Sequence, residues 1–226
     1  MASTDHELHP FVGHVRHIKS VISNEECQKI IDHLSEMEWY PFPLRKGKNS
    51  SRTLCNHHIA KTKVGQTIIE WLSSLFEKFE IKIEVLGMFG NYYPDGEASL
   101  PHHSDQYGAD VVSLSFGATR LFSFKSCSDN KVQKPSMYLA NGDMLIFDQE
   151  MNSKYKHGIG VQKQIKNPRF NITCFVRFNG TQGLKIPSSR TYLEDYPEIN
   201  FPKVFPEKCS MNKVVEDSKD VPDKDT

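Results

Sequence analysis

The chain has 226 residues, 38% apolar and 11% aromatic, which suffices for one packed domain of ordinary size with some extension. Its 28 basic and 28 acidic residues cancel, so whole-chain charge argues for no nucleic-acid partner, and no apolar run is long enough for a membrane span. Cys27, Cys55, Cys127, Cys174 and Cys209 are widely spaced without a Cys-x-x-Cys pair, which excludes a disulfide framework and a thiolate zinc site; with a polar, His-rich opening from Met1 to Pro10 that lacks an apolar signal core, an intracellular location is expected.

Ser23-Asn24-Glu25-Glu26 reads as a capping box, the serine accepting from a free backbone N–H and Glu26 reaching back. It opens a helix whose Cys27, Ile30, Ile31 and Leu34 share one face. A second helix, roughly Val64 to Phe79, repeats the spacing with Val64, Ile68, Leu72, Leu75 and Phe79. Between them, Trp39 to Ala60 holds Pro41, Pro43, Gly47 and several Asn and Ser residues, a signature of loops and short strands. From Arg45 to Lys63 the chain is basic, with Arg45, Lys46, Lys48, Arg52, Lys61 and Lys63 and no acid between them.

From Ile81 the apolar period changes to two, and turn signals such as Pro94-Asp95-Gly96 and Asn141-Gly142-Asp143 separate short runs. In Val111 to Phe116, apolar Val112, Leu114 and Phe116 alternate with Ser113 and Ser115, as a strand with one polar face requires. Met144 to Phe147 is apolar throughout, as in a strand covered on both sides. The clearest strand is Arg169 to Phe178: its even positions (Phe170, Ile172, Cys174, Val176, Phe178) are all apolar, and its odd positions read Arg169, Asn171, Thr173, Phe175 and Arg177. A polar face turned into a sheet implies a site there. After Gly180 the alternation stops. The expected organisation is a flexible start over 1–10, one domain over 11–180 with helices and lid loops to 80 and a strand-built core from 81, and an irregular arm with an acidic, disordered tail over 181–226.

His103-Ser104-Asp105 places an imidazole and a carboxylate two residues apart, on one face of an extended segment. His157 is the only later histidine and is the candidate third ligand. Two His and one carboxylate leave open positions on an Fe(II) for a chelating oxo-acid and dioxygen, although the same set also suits zinc hydrolases. Arg169 bears on the choice. On an interior polar face it is costly unless it meets an anion; the distal carboxylate of 2-oxoglutarate would supply one through a bidentate pair, and a structural salt bridge is the alternative.

Five ordered elements between Met88 and Arg177 then resemble the AlkB family of nucleic-acid dealkylases. Asn91-Tyr92-Tyr93-Pro94-Asp95-Gly96 is similar to the family's Asn-x-Tyr-x-Asp-Gly segment, and His103-Ser104-Asp105 to its His-x-Asp. Ser113 to Phe122 resembles the strand and turn that follow, Gly142-Asp143 with His157 the Gly-Asp turn and distal His, and Arg169-Phe170-Asn171-Ile172-Thr173 the Arg-x-Asn-x-Thr signature. The resemblance implies an α+β fold, a double-stranded β-helix (jelly roll) buttressed by the two early helices. It also implies an Fe(II) enzyme with 2-oxoglutarate and O2 as co-substrates, oxidatively dealkylating N-alkylated bases in DNA or RNA. His103, Asp105 and His157 would hold the metal; Asn91, Tyr93, Arg169, Asn171, Thr173 and Arg177 would hold the co-substrate. Arg45, Lys46, Lys48 and Arg52 would contact phosphates of an alkylated nucleic acid, with Tyr40, Phe42 or Tyr107 stacking on a base that is flipped or single-stranded.

Two departures leave alternatives open. The family signature ends in an arginine where this chain has Phe175, and Arg177 lies about 6 to 7 Å farther along the strand, so either a bulge returns it to the site or it is a surface cation. Family members that repair DNA carry a base-contacting carboxylate shortly after His-x-Asp; here Gln106, Tyr107, Gly108 and Ala109 follow, and Asp110 is the next acid. A hydroxylase of a protein or small molecule on the same scaffold, and an inert binding module, are therefore the alternatives. His102 should face away from the metal, and His57-His58 reads as a loop pair. A monomer is the default.

Overall fold

The structure, a computed structural model, describes residues 15–43, 49–78, 81–128 and 132–179. The expected start over 1–10 and the arm and tail over 181–226 lie outside the described residues. Two antiparallel sheets form the jelly roll, and the order of their strands explains how distant positions meet. The larger sheet runs β1 (Val15–Ile18), β9 (Met144–Phe147), β6 (Asp110–Gly117), β11 (Arg169–Asn179), β4 (Lys82–Tyr93), β3 (Asn49–Asn56) and β2 (Tyr40–Pro43). The smaller runs β5 (Leu100–His103), β10 (Tyr155–Ile159), β7 (Arg120–Ser126) and β8 (Val132–Leu139).

Two cores follow from the alternation. The even face of β11, with Leu114 and Phe116 of β6 and Ile146 of β9, packs under α1 (Asn24–Ser35) and α2 (Lys63–Glu77), which bury Ile30, Leu34, Ile68, Leu72 and Phe76 against it. The second core lies between the sheets, where Val111, Leu145, Phe147 and Phe175 meet Phe122, Phe124 and Ile159. Met144 to Phe147 is buried throughout because it feeds both cores from alternate residues.

Ser23 caps α1, accepting from the Glu26 amide at 3.3 Å, but the Glu26 carboxylate takes a proton of Lys29 at 2.8 Å instead of reaching back, so the capping box is half made. The second helix begins one residue before the expected Val64 and ends at Glu77, and Phe79 lies outside the described residues. Thr62 caps it at the Gly65 amide, 3.1 Å away. A short third helix, α3 (Gln149–Lys154), was not legible in the sequence; Asp148 caps it by accepting from the Met151 amide at 2.7 Å.

The Gly142-Asp143 turn ties the first strand to the sheet. Gly142 has a φ of 79°, and a Cβ there would stand 2.3 Å from the Ile22 carbonyl oxygen, so only glycine fits. The buried Asp143 carboxylate accepts from His17 Nε2 at 2.8 Å and from the Ser20 and Ala140 amides, both at 2.9 Å. Burial alone would raise its pKa; the His17 hydrogen bond and the two amides outweigh burial and hold it below the ordinary 3.8. A folded-state pKa depressed in this way contributes stability that is present above the unfolded value and is lost as the pH falls through the folded one. Asp143→Asn is expected to cost about 2 kcal/mol at neutral pH and to flatten the acid limb of stability, measured by chemical denaturation between neutral and acid pH.

Candidate active site

The register of the smaller sheet makes the metal group. His103 and His157 are cross-strand partners on β5 and β10, and Asp105 follows β5 by two residues. The ligand atoms of all three lie within 4.8 Å of one another. The Asp105 carboxylate oxygens stand 3.6 Å from His103 Nε2 and 3.4 Å from His157 Nε2. The Pro101 carbonyl, which can only accept, takes the proton of His103 Nδ1 at 2.9 Å, which fixes the tautomer and leaves the Nε2 lone pair facing Asp105. Burial, and then the neighbouring His157, lower the His103 pKa. Burial opposes the Asp105 charge, but the hydrogen bond and charge of His157 and the charge of His103 override it and hold the carboxylate below its usual range. Two imidazole nitrogens and one carboxylate on a common side are the donor set of a facial triad, so the residues fit an Fe(II).

Two further details lock the geometry. Gly158, next to His157, has no room for a Cβ, which would lie 2.7 Å from the Leu100 carbonyl oxygen, so β10 and β5 approach closely because this residue is glycine. The Asn152 amide of α3 clasps the Asp105 backbone from both sides, accepting from its N–H at 2.9 Å and donating to its carbonyl at 2.8 Å. Sequence reasoning missed Asn152, because a lone Asn in an unrecognised helix carries no local signal.

Behind the triad lies a polar stripe built by the register of β11 between β4 and β6. Arg169 pairs with Tyr93 and Gly117, Asn171 with Asn91 and Ser115, and Thr173 with Phe89 and Ser113. Arg169 is 2% exposed; its Nη2 donates to Ser115 Oγ at 2.9 Å and its guanidinium carbon sits 5.3 Å from the Tyr93 ring centre. Its Nε and Nη1 are buried with no partner among the described residues. Burial pushes the Arg169 pKa down to about 10, with nearby Tyr93 opposing, so the group stays charged at neutral pH. No carboxylate answers it among the described residues. The unmatched, inward-facing donors fit the distal carboxylate of 2-oxoglutarate.

Asn91 turns an unpartnered, buried Oδ1 into the same cavity. Asn171 and Thr173 line it too, but the Asn171 amide is fully used within the protein. It accepts from Asn91 Nδ2 at 3.2 Å and Thr173 Oγ1 at 2.9 Å, and donates to Ser113 Oγ at 2.7 Å and the Leu114 carbonyl at 2.9 Å. It therefore orients its neighbours instead of offering a free group. Ser113 and Ser115, visible in the sequence as a polar face, acquire their roles here. Tyr93, 1% exposed, lies between Arg169 and a second buried cation, Arg120, whose carbon is 5.6 Å from its ring. Arg120 donates to the carbonyls of Asp95, Ala98 and Gly160 at 2.7 to 2.9 Å and to Gln162 Oε1 at 3.3 Å, stapling the loops that follow β4 and β10.

Arg177 is corrected. The bulge lies on the partner strand, where Gly87 faces Phe175 and Val85 faces Val176, so it does not carry Arg177 back. Its side chain is 60% exposed and pairs with Glu84 at 2.8 Å, away from the cavity. Phe175 fills the interior position, with Tyr107 stacked on it at 4.0 Å between ring centres. Tyr107 is itself 60% exposed. Asp110 accepts from the Gln149 amide at 2.9 Å at the start of α3, so Asp105 is the one carboxylate lining the cavity among the described residues. His102 faces outward, its Nε2 2.9 Å from Ser123 Oγ, and His57 lies 3.6 Å from Cys55 Sγ, neither in the metal group. Arg45, Lys46 and Lys48 lie outside the described residues, as does the side chain of Arg52 on β3. Tyr40 is exposed and Phe42 packs partly on the inner core.

The family model described as the 2OG-Fe(II) oxygenase superfamily matches residues 14–175. Two relatives described as DNA oxidative demethylase ALKBH2 are each 32% identical over 95 residues. The one from Bos taurus aligns over 37% of this chain and 34% of its own, and that from Homo sapiens over 37% and 36%. The chain thus spans about a third of the length of these relatives. Among solved structures, OsALKBH1 matches with a TM-score of 0.53 at 17% identity, over 71% of this chain and 97% of that one. The α-ketoglutarate-dependent epimerase SnoN matches with a TM-score of 0.55 at 11% identity, over 83% and 86%. These two share the fold.

Asn152→Ala is expected to weaken metal binding roughly tenfold to a hundredfold while leaving the melting temperature of the metal-free protein near that of the parent; calorimetric titration with Fe(II) under anaerobic conditions reads the first and differential scanning the second.

Proposed function

We propose that this chain, which belongs to the 2OG-Fe(II) oxygenase superfamily, is a dioxygenase that removes alkyl groups from nitrogen atoms of nucleobases in DNA or RNA. The observation that carries the reading is the buried Arg169, whose two unmatched N–H groups face the cavity that His103, Asp105 and His157 share. The demethylase name of the ALKBH2 relatives supports the nucleobase as substrate. No helix among the described residues is long and apolar enough to cross a membrane; an intracellular location and a monomeric state are part of the proposal.

With Fe(II), 2-oxoglutarate and O2 bound, the chemistry supplied is hydroxylation coupled to decarboxylation: one oxygen atom enters succinate as CO2 leaves, and the other enters a C–H bond of the substrate. An N-methyl group hydroxylated in this way departs as formaldehyde, and the nitrogen regains a proton. The protein's contribution is placement. Arg169, with Tyr93 beside it, would hold the distal carboxylate, and the unpartnered Asn91, oriented through Asn171, would meet the co-substrate body. Thr173 and Ser115 keep this stripe rigid. Phe122, stacked on His157 at 5.6 Å, and Phe147, at 5.0 Å from the same ring, keep water from the buried side of the metal. Among the described residues the one lining carboxylate belongs to the metal group, so no acid among them would meet the substrate ring, and the exposed Tyr107, stacked on Phe175, is the aromatic group that would.

Arg169→Ala is expected to raise the KM for 2-oxoglutarate about 100-fold, the loss of two charge-assisted hydrogen bonds of about 1.5 kcal/mol each, with a smaller effect on Fe(II) affinity. A panel of methylated single- and double-stranded oligonucleotides should give succinate and formaldehyde in equal amounts, abolished by Asp105→Ala. Succinate formed with a protein or small molecule while every methylated oligonucleotide stays intact would overturn the nucleobase assignment, and no succinate under any condition would overturn the enzyme.

A further inference from the structure

The four strands of the smaller sheet, β5, β7, β8 and β10, contain no aspartate or glutamate. In a chain whose acids and bases balance, this is a segregation of charge. Alternation sends Phe122, Phe124, His157 and Ile159 inward and leaves Ser123, Lys125 and Lys156 on the outer face. Lys156 is the direct cross-strand partner of Lys125, so two lysine side chains leave the same face from directly opposed positions. Like charges placed opposite each other destabilise a strand pair. Neither lysine has an ion-pair partner among the described residues, whereas Lys154, two residues earlier, is paired with Glu150. The fold gains nothing from this arrangement, and a polyanion would convert its cost into attraction.

The same face carries two further groups. His102 sits on β5 and reaches Ser123 of β7 across the intervening strand, and Lys125 is near enough to lower its pKa, after burial. Tyr138 on β8, opposite Leu121, is 61% exposed. Outside and inside are one residue apart here: His102 and Lys156 face out where His103 and His157 face the metal group. β5 is the edge of the sheet, and the His103 side chain there is 30% exposed against 8% for His157. The metal group is therefore more open to solvent at the β5 edge, which borders the basic face, than at β10.

We infer that the outer face of the four-stranded sheet docks the phosphate backbone of the nucleic-acid strand under repair, with Lys125 and Lys156 on phosphates and Tyr138 under a neighbouring base, so that the target nucleotide turns over the β5 edge into the cavity. The inference rests on the nucleobase reading above. Exposed aromatic and basic groups together on one face suit a single strand, whose bases are free to stack.

The test is fluorescence anisotropy of a short fluorescein-labelled single-stranded DNA carrying a methylated base, titrated with the Fe(II)-loaded protein over a range of NaCl concentrations. In Lys125→Gln/Lys156→Gln the slope of log affinity against log salt is expected to shrink by about 1.4, two phosphates at about 0.7 each. Succinate formation without nucleic acid and the melting temperature should not fall, because a like-charge pair has been removed. Lys125→Glu, which sets an opposite charge before Lys156, should keep the fold and lose at least as much affinity. Tyr138→Ala should weaken binding with the slope unchanged. Parent-like binding and slope in both lysine variants would overturn the docking surface while leaving the enzyme's substrate class standing; a parent protein that binds no oligonucleotide would overturn both.

Discussion

The site depends on the register of one strand. β11 lies between β4 and β6, and because side chains alternate with a period of two, the pairing of Arg169 with Tyr93 and of Asn171 with Asn91 sets every polar group of the stripe on the inner face at once. A slip of one residue would send the guanidinium into the core beneath the helices and turn Phe170 and Ile172 toward the cavity. That alternative buries a charge among aliphatic groups and is strongly opposed. Two neighbours, each paired over seven or more positions, hold the register against the cost of an unmatched Arg169. The energetic compromise is local: Ser115 and the Tyr93 ring meet part of the guanidinium, and the rest is left for a ligand.

The smaller sheet works differently. Its inner face brings the two histidines together by direct cross-strand pairing, and Asp105 joins them from just beyond the strand, where the backbone is held by Asn152 rather than by a ladder. The metal group is thus half sheet and half loop, with α3 acting as the brace for the loop half. The aromatic packing of Phe122 and Phe147 on His157 buries the ring whose Nε2 faces Asp105.

Much of this was legible in the sequence because it follows from periodicity. Arg169 to Phe178 announced its two faces, and the His103, Asp105, His157 and Arg169 positions converge as the spacing and the family resemblance implied. What was not legible depends on three-dimensional company. Which strand carries a bulge cannot be read from either strand alone, so Arg177 was open until the extra residue was found on β4. The α3 brace is too short to show a helical period, and Asn152 is one polar residue among several. Asn171 reads as a ligand in the signature, yet its four hydrogen-bonding places are filled by neighbours contributed from β4, β6 and β11 itself. The Lys125 and Lys156 pairing needs the register of β7 with β10, and thirty residues separate the two in the chain.

Arg120 sets the two ends of the molecule apart in how they answer to their surroundings. Its hydrogen bonds end on main-chain carbonyls and one amide oxygen, groups that neither ionise nor gather counterions, and the cation is wholly shut away from water. The loops that follow β4 and β10 are therefore fastened by a charge that changes in salt or acidity scarcely reach. The lysine-bearing wall, by contrast, meets the solvent directly and answers to every ion in it, so grip on a polymer can be tuned by the medium without loosening the chamber in which the chemistry takes place.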